Sequence, residues 1–556
     1  MVPDSASRQV IRPASDDTRR ALLAVAVAVF AAWSWLAHGG LSSPAFDVDS
    51  FDYAQMARQL YRGQGFTMQQ TFPYVLHFLS AHGVATEPPW PDTTRFPLIA
   101  VEEAAAFAVV GPDDRGILVA GGALLVATVV AVFLLAGRLF GISAGVLAAL
   151  AVAAEAEQLR LSRSGLLETG SGLFIVLAAL ALVASTESAR SRSASLLGIL
   201  LGLAFLQRYD LLALAPVAAV LLVVRREDQR SPSMLWCTAG FVLAAGPWLV
   251  RNLLTIGTLL GSTSVDRNLL GGIVPGDVYM APQTLSAWQV ALENLPALSA
   301  KLVTGATWIG EHAGEMFGGR FATCAALAAA ALPIVSRSRA AATAWLFAAG
   351  ALAARALLLS LMHNELRFYA SFTPLLIVLA VGAAITLLRR ISSRARTAEP
   401  AIAAFAFAAM AFTLPPLPAS RSFPPPEPFA SLRQLVPAGA VVASDASWNV
   451  AWYSDLPSVR FSGQWPELAG TEQAGVRVGA VLVRGPYARE FEAGHERAGG
   501  GLFRAGPGLP GGYRLWLRID GSASLVPAPP GPAASPGTTP EATTRAASLG
   551  YSSSLS

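Results

Sequence analysis

The sequence is poor in charge, cysteine, histidine and lysine. Only 14% of its 556 residues are Asp, Glu, Lys or Arg, while 53% are hydrophobic. Soluble globular domains carry roughly 25% charged residues, so an ordinary soluble domain is excluded and a polytopic membrane protein fits. The two cysteines, Cys237 and Cys324, both lie in apolar stretches, which supports neither a disulfide framework nor a cysteine-based zinc site. Of the histidines, His77, His82, His312 and His363 fall in external segments, and none forms a recognised zinc spacing with another. Lys301 is the only lysine, so positive charge is almost all arginine. The formal charge of +4 is small for this length, and no nucleic-acid partner is expected.

What the chain has in abundance is long apolar runs. A bilayer core takes about 20 apolar residues per helix. Candidate spans fall at 21–38, 116–137, 143–162, 169–185, 194–207, 211–225, 235–254, 321–336, 341–362, 372–388 and 400–416. The first follows Arg19-Arg20 as a signal peptide would, but Trp33, Trp35 and His38 leave no small-residue cleavage site, so it reads as a retained span. The pair at 194–225 is interrupted by Arg208 and Asp210, which must sit at an interface or in a protein-lined cavity.

The arginines then set the topology. Arg19/Arg20, Arg138, Arg190/Arg192, Arg225/Arg226/Arg230, Arg337/Arg339 and Arg389/Arg390/Arg394/Arg396 occupy every second gap, and by the positive-inside bias those gaps are cytoplasmic. The acidic and aromatic gaps between them face outward. About eleven spans carry an inside N-terminus to an outside C-terminus. Parity requires that residues 97–110 are not a crossing. They form a short apolar piece containing Glu102 and Glu103, which reads as interfacial or re-entrant on the outer surface.

The expected fold class is an α-helical polytopic membrane protein with a small C-terminal α/β module. A cytoplasmic N-terminus occupies 1–20 and the transmembrane body 21–420, with external loops at 39–115 and 255–320. The module spans 424–520, with strand-like runs at 440–444, 478–483 and 513–519 and a helical stretch at 428–435. The Pro/Ala/Ser/Thr-rich tail from 521 to 556 is expected to be disordered.

The passage FDVDSFDYAQMARQLYRG, residues 46–63, sets Asp47, Asp49 and Asp52 at the entrance of a helical pattern. Phe51, Ala54, Ala57, Leu60 and Tyr61 recur at helical spacing, as in a helix lying in the membrane interface. One reading makes Asp49 an N-cap with Asp52 three residues on. The other is functional. Asp47 and Asp49 alternate along an extended stretch and share a face, and three carboxylates at a bilayer surface repel one another, a cost no cap requires.

Asp49-Ser-Phe-Asp-Tyr53-Ala-Gln-Met-Ala57-Arg58, just outside a first span, resembles the first external loop of the GT-C-fold, polyprenyl-phosphate-sugar-dependent glycosyltransferases. These include the protein O-mannosyltransferases, the lipid A aminoarabinose transferases and the RgtA/B/C/D-like enzymes. The likeness continues through Arg115, Gly137-Arg-Leu-Phe-Gly141, Ser162-Arg163-Ser-Gly-Leu-Leu-Glu168, Gly246-Pro247-Trp248-Leu-Val-Arg251-Asn252 and Glu365-Leu-Arg367-Phe368-Tyr369. The resemblance implies a membrane glycosyltransferase in which Asp49 is the catalytic carboxylate. One departure stands out: Arg95-Phe96-Pro97 occupies the place where the aminoarabinose branch has Glu-Lys-Pro, so a carboxylate tied there to metal binding is missing.

Transfer of a sugar from a polyprenyl phosphate to a hydroxyl expels a phosphate, which needs cationic stabilisation, and arginine's planar fork suits that task. It also needs a base for the acceptor proton. Asp49 is the expected base, with Asp47 and Glu168 beside it. Arg58, Arg95, Arg163, Arg267 and Arg367, with Tyr53, are the candidates to hold the donor. Glu168 orients the site or, with Asp47, binds a divalent cation; no cofactor is required. The plain alternative for Arg163 and Arg367 is snorkelling to lipid headgroups. Tyr279, Trp288 and Trp308 either cover an acceptor groove or anchor the loop at the interface.

The expected partners are a lipid-linked sugar donor, a lipid, glycan or protein acceptor, and membrane lipids, at the periplasmic face of the inner membrane. A transporter or lipid-linked-sugar flippase is the alternative, and Arg208-Tyr-Asp210 with Arg355 are the features it would claim. A degenerate, non-catalytic relative acting as a scaffold is a third.

Overall fold

The computed structural model describes residues 16–187, 191–225, 230–260, 263–281, 285–392, 394–413 and 426–519. The expected disordered tail, most of the N-terminal segment, Arg190 and Arg226 lie outside the described residues. The chain is a largely helical, multi-pass membrane protein. Six described helices are long and apolar enough to cross a membrane: Asp17–Ala37, Asp114–Phe140, Glu168–Glu187, Ser233–Ile256, Arg339–Leu361 and Thr373–Ile391. Shorter apolar helices follow at Ile142–Ala153, Ser191–Gln207, Tyr209–Val224 and Thr397–Met410.

Two expected spans are broken. The run at 143–162 divides into Ile142–Ala153 and Ala156–Leu161, because the Glu155 carboxylate caps the second piece by accepting the Gln158 N–H at 2.7 Å. The run at 321–336 divides into Arg320–Ala330 and Leu332–Val335, with Pro333 in the first turn of the second piece, where its missing N–H costs nothing. Elsewhere small residues permit close packing. A Cβ added at Gly198 would sit 1.8 Å from the Cys237 carbonyl oxygen, and one at Gly240 2.2 Å from that of Ser195. Membrane helices lack a hydrophobic drive toward each other and associate through such contacts.

The bundle has two dissimilar ends. At one, Arg138 pairs with Glu187 at 2.6 Å, and Arg389 pairs with Glu399 at 2.7 Å and donates to the Phe140 carbonyl at 2.9 Å. At the other lie the loop after the first span, the N-terminus of Glu168–Glu187 and the C-terminal module.

The stretch expected as an interfacial helix forms Val48–Tyr61, with Asp47 at the N-cap in extended conformation. It does not lie on lipid. Residues 50–57 are all buried, because Pro97–Val110 packs on one side and the C-terminal module on another. Asp47 and Asp49 therefore do not share an extended strand: the helix begins at Val48 and Asp49 stands in its first turn, where the macrodipole favours a carboxylate.

The module is built around a six-stranded sheet, and the first loop is part of it. The loop strands are β1 (Thr67–Met68), β2 (Gln70–Thr71) and β3 (Trp90–Pro91); those of the module are β4 (Val441–Ser444), β5 (Ser458–Arg460), β6 (Val478–Arg484), β7 (Phe503–Leu509) and β8 (Tyr513–Arg518). Strand order is β2-β5-β4-β6-β8-β7, with β2, β5, β4 and β6 parallel. The loop thus supplies an edge strand to a sheet that the sequence places wholly within 424–520.

Arg58 and Trp452 clamp the two parts together. The guanidinium lies 3.6 Å from the indole ring centroid and donates to the Trp452 carbonyl at 2.8 Å, while the indole N–H donates to Asp114 at 2.7 Å. Truncation of a buried tryptophan costs about 3–5 kcal/mol. Trp452→Ala is therefore expected to loosen the module, seen as a lower melting temperature and faster proteolysis; an unchanged melt would show that the clamp carries no stability.

Candidate active site

Local sequence explains how the site is assembled. The Ser50 hydroxyl accepts the Asp47 N–H at 2.9 Å and donates to the Ser164 carbonyl. Gly165 then turns with φ +67°, and a Cβ there would come 2.6 Å from Ile117 and 3.1 Å from Ser50. Only glycine lets the chain pass so close to the aspartate-bearing helix. Three residues later Glu168 opens its own helix and reaches the same pocket as Asp49.

Asp49 is held between two arginines. Arg95 Nη2 lies 2.9 Å from one carboxylate oxygen and Arg367 Nη2 3.0 Å from the other. Burial alone would raise the Asp49 carboxyl, but the two guanidiniums overcome it and hold it well below the usual carboxylate range. Arg95 also binds Asp52 through Nε at 3.0 Å, and Trp448 Nε1 donates to the same Asp52 oxygen at 2.9 Å. Asp52 responds in the opposite direction: burial pushes it up to about 7, against the pull of Arg95, with the Asp49 charge adding to the rise. Two neighbouring carboxyls with opposed shifts usually have separate roles. Asp49 faces the pocket, whereas Asp52 is fully buried behind it.

Arg367 is the centre of the opposite wall. It pairs with Glu365, lies 3.6 Å from Asp47 at the exposed rim, and lies 3.9 Å from Glu168. Its Nη1 is buried and has no hydrogen-bond partner. Behind it runs an alternating chain of charges. Glu168 meets Arg208 at 3.1 Å, Arg208 meets Asp210 at 2.8 Å, and Asp210 meets Arg355 at 2.6 Å. Arg355 ends the chain on the Phe368 carbonyl at 2.6 Å and the Ser371 hydroxyl at 2.7 Å. The charges that interrupt the 194–225 run are therefore a protein-lined second layer behind Glu168 and Arg367.

The other sequence candidates divide. Tyr53 is buried in the pocket wall with the Arg95 guanidinium 5.4 Å from its ring, and Arg267 stands half-exposed at the mouth, 4.8 Å from the Tyr279 ring. Arg58 and Arg163 do not reach the pocket. Arg58 is taken up by the Trp452 clamp. Arg163 donates to the carbonyls of Leu159 at 3.0 Å and His38 at 2.8 Å, pinning the start of the loop. Arg208, Tyr279, His363 and Glu365 line the pocket without having been assigned to it by sequence. Tyr279 is buried against Phe72, ring centroids 4.2 Å apart, so it does not anchor at the interface, whereas Trp288 is exposed. The signal for Arg208 was present, as an ionisable residue inside an apolar run.

Among the described residues, no three His, Cys, Asp or Glu side chains group as a metal site. The donor set explains why a cation fits poorly. Asp49, Asp52, Glu168 and Glu365 all face guanidiniums, and Arg95 fills the space between the first two. Arginine supplies the positive charge among these carboxylates.

Residues 95–250 match the family model of dolichyl-phosphate-mannose-protein mannosyltransferases, which relates the chain to the GT-C-fold glycosyltransferases, enzymes of glycosyl transfer. The matched stretch contains Arg95, Glu168 and Arg208; Asp49 and Arg367 lie outside it. Among solved structures, the oligosaccharyltransferase of Archaeoglobus fulgidus, in complex with Zn and sulfate, is similar over 88% of this chain and 73% of its own at 12% identity and a TM-score of 0.47. ArnT from Cupriavidus metallidurans, bound to undecaprenyl phosphate, is similar over 91% of this chain and 99% of its own at 14% identity and a TM-score of 0.43. No curated protein matches by sequence.

Proposed function

We propose that the protein transfers a sugar from a polyprenyl-phosphate carrier to a hydroxyl-bearing acceptor, with Asp49 as general base, on the periplasmic face of the inner membrane. The observation that carries this reading is a carboxylate held between Arg95 and Arg367 in a pocket, beside an Arg367 Nη1 that makes no hydrogen bond and faces only the Asp47 carboxylate, 3.6 Å away at the rim. A donor phosphate offers that Nη1 the close acceptor that Asp47 does not provide.

The acceptor oxygen attacks the anomeric carbon, its proton passes to Asp49, and the bond from that carbon to the phosphate oxygen breaks. The electron pair leaves on polyprenyl phosphate, where Arg367 and Arg95, with Arg267 at the mouth, stabilise the growing charge. Glu168, braced by Arg208, fixes the orientation of Arg367. The pocket holds ≈ 80 Å³, below the roughly 300–1,000 Å³ of small-molecule sites. The donor must therefore open the Asp49–arginine pairs as it enters, which frees the carboxylate to accept a proton.

This has a consequence for pH. With Asp49 held low in the resting protein, its charge is lost only as pH falls below the ordinary aspartate range, near about 4. The acid limb of kcat/KM, which reports free enzyme, is expected there or lower. The acid limb of kcat is expected at higher pH, since bound phosphate draws the arginines away. Coincident limbs would count against donor displacement of the pairs.

The direct test incubates purified protein with lipid-linked sugars and measures release of polyprenyl phosphate. Movement of the intact lipid-linked sugar across vesicles without cleavage would favour the flippase reading.

A further inference from the structure

The C-terminal module carries a second, larger cleft of ≈ 620 Å³. Its position follows from topology, because ligands of open sheets bind outside the carboxyl ends of parallel strands. Asp445 directly follows β4, Arg460 ends β5 and Arg484 ends β6. Arg489, from the helix Gly485–Arg497 that leaves β6, and Arg514, from β8, complete a wall of four guanidiniums, with Tyr487 at its side.

Only part of this charge is already used. Arg514 pairs with Glu492, and Arg484 lies 3.6 Å from one oxygen of Asp445. Arg489 has no ion-pair partner among the described residues. Asp445 is 9% exposed; the Arg484 and Arg460 guanidiniums and the backbone N–H groups of Asp445 and Arg484 draw on its carboxylate, yet its other oxygen, Oδ1, is buried and makes no well-formed hydrogen bond. An unpaired buried carboxylate oxygen is costly. A bare anion would leave it unpaired and would be repelled by it. A ligand carrying both an anionic group and hydroxyl donors satisfies the arginines and Asp445 together.

We propose that this cleft binds a saccharide bearing a phosphate or carboxylate group, and that it recognises the acceptor of the transfer reaction. Its role as acceptor site rests on the function proposed above; the binding itself does not. The arginines take the anion in bidentate fashion, Asp445 Oδ1 accepts a sugar hydroxyl, and Tyr487 offers a ring face to the pyranose. The cleft is also joined to the pocket. The Arg460 guanidinium lies 4.8 Å from the Trp448 ring, Trp448 donates to Asp52, and Asp52 shares Arg95 with Asp49.

The test is calorimetric titration of the full chain in lipid nanodiscs with glucose 6-phosphate, glucuronate, glucose and inorganic phosphate. Glucose 6-phosphate and glucuronate are expected to bind, and the other two to bind about tenfold more weakly or worse, the worth of one charged hydrogen bond. Arg489→Gln, at an exposed position where folding is not at stake, is expected to weaken glucose 6-phosphate by a similar factor. Asp445→Asn should tighten inorganic phosphate, since the repulsion is gone, and so narrow the preference for glucose 6-phosphate. Equal affinity for glucose 6-phosphate and inorganic phosphate, or indifference to Arg489→Gln, would overturn the proposal. Binding without donor cleavage would strike the proposed function alone, and cleavage without binding would strike the cleft alone.

Discussion

Asp49→Asn is expected to reduce release of polyprenyl phosphate by a factor on the order of 10²–10⁴, the usual contribution of a positioned general base. The substitution keeps shape and removes the negative charge. The two arginines are not stranded by it: Arg95 retains Asp52, and Arg367 retains Glu365 and Glu168. The melting temperature should therefore change little while turnover collapses, and that divergence distinguishes a chemical role from a helix-capping one. Turnover equal to that of the unaltered protein would remove Asp49 from the mechanism.

Arg367→Gln acts differently, because one side chain there answers four carboxylates. Loss of a preorganised cation at a developing negative charge costs about 10²–10³ in turnover. It also leaves Glu365 and Asp49 short of a counter-charge, so both turnover and melting temperature should fall. The acid limb of kcat/KM should move to higher pH, since one of the two charges holding Asp49 low is gone. Arg367→Lys should not restore activity, because a single ammonium cannot reproduce the fork that reaches Asp49 and Glu365 together. Full rescue by lysine would reduce Arg367 to a point charge and weaken the bidentate phosphate slot.

Much of this arrangement was legible in the sequence because it depends on spacing and sidedness. Acidic and aromatic gaps alternate with arginine gaps, and that alone put Asp49, Glu168 and Arg367 at the same end of the bundle. Contacts made across hundreds of residues were not legible. Nothing in Arg58 or Arg163 announces that the carbonyls of Trp452 and His38 will capture their guanidiniums. The bond from Trp448 to Asp52 joins residues 396 apart. The start of the helix at Val48 is a local preference of one residue's reach, and shifting it turns a shared face into a cap and a first-turn carboxylate.

The strand that the first loop lends to the C-terminal sheet has a consequence for biogenesis. Gln55 and its partner Trp448 are separated by 393 residues, which at ribosomal speeds of about 5–20 residues per second is a wait of roughly 20–80 s. During that interval the aspartate-bearing loop has emerged without the tryptophans that brace it. The brace on Asp52 is complete only when translation is nearly finished, so the loop passes its first seconds in the membrane without it.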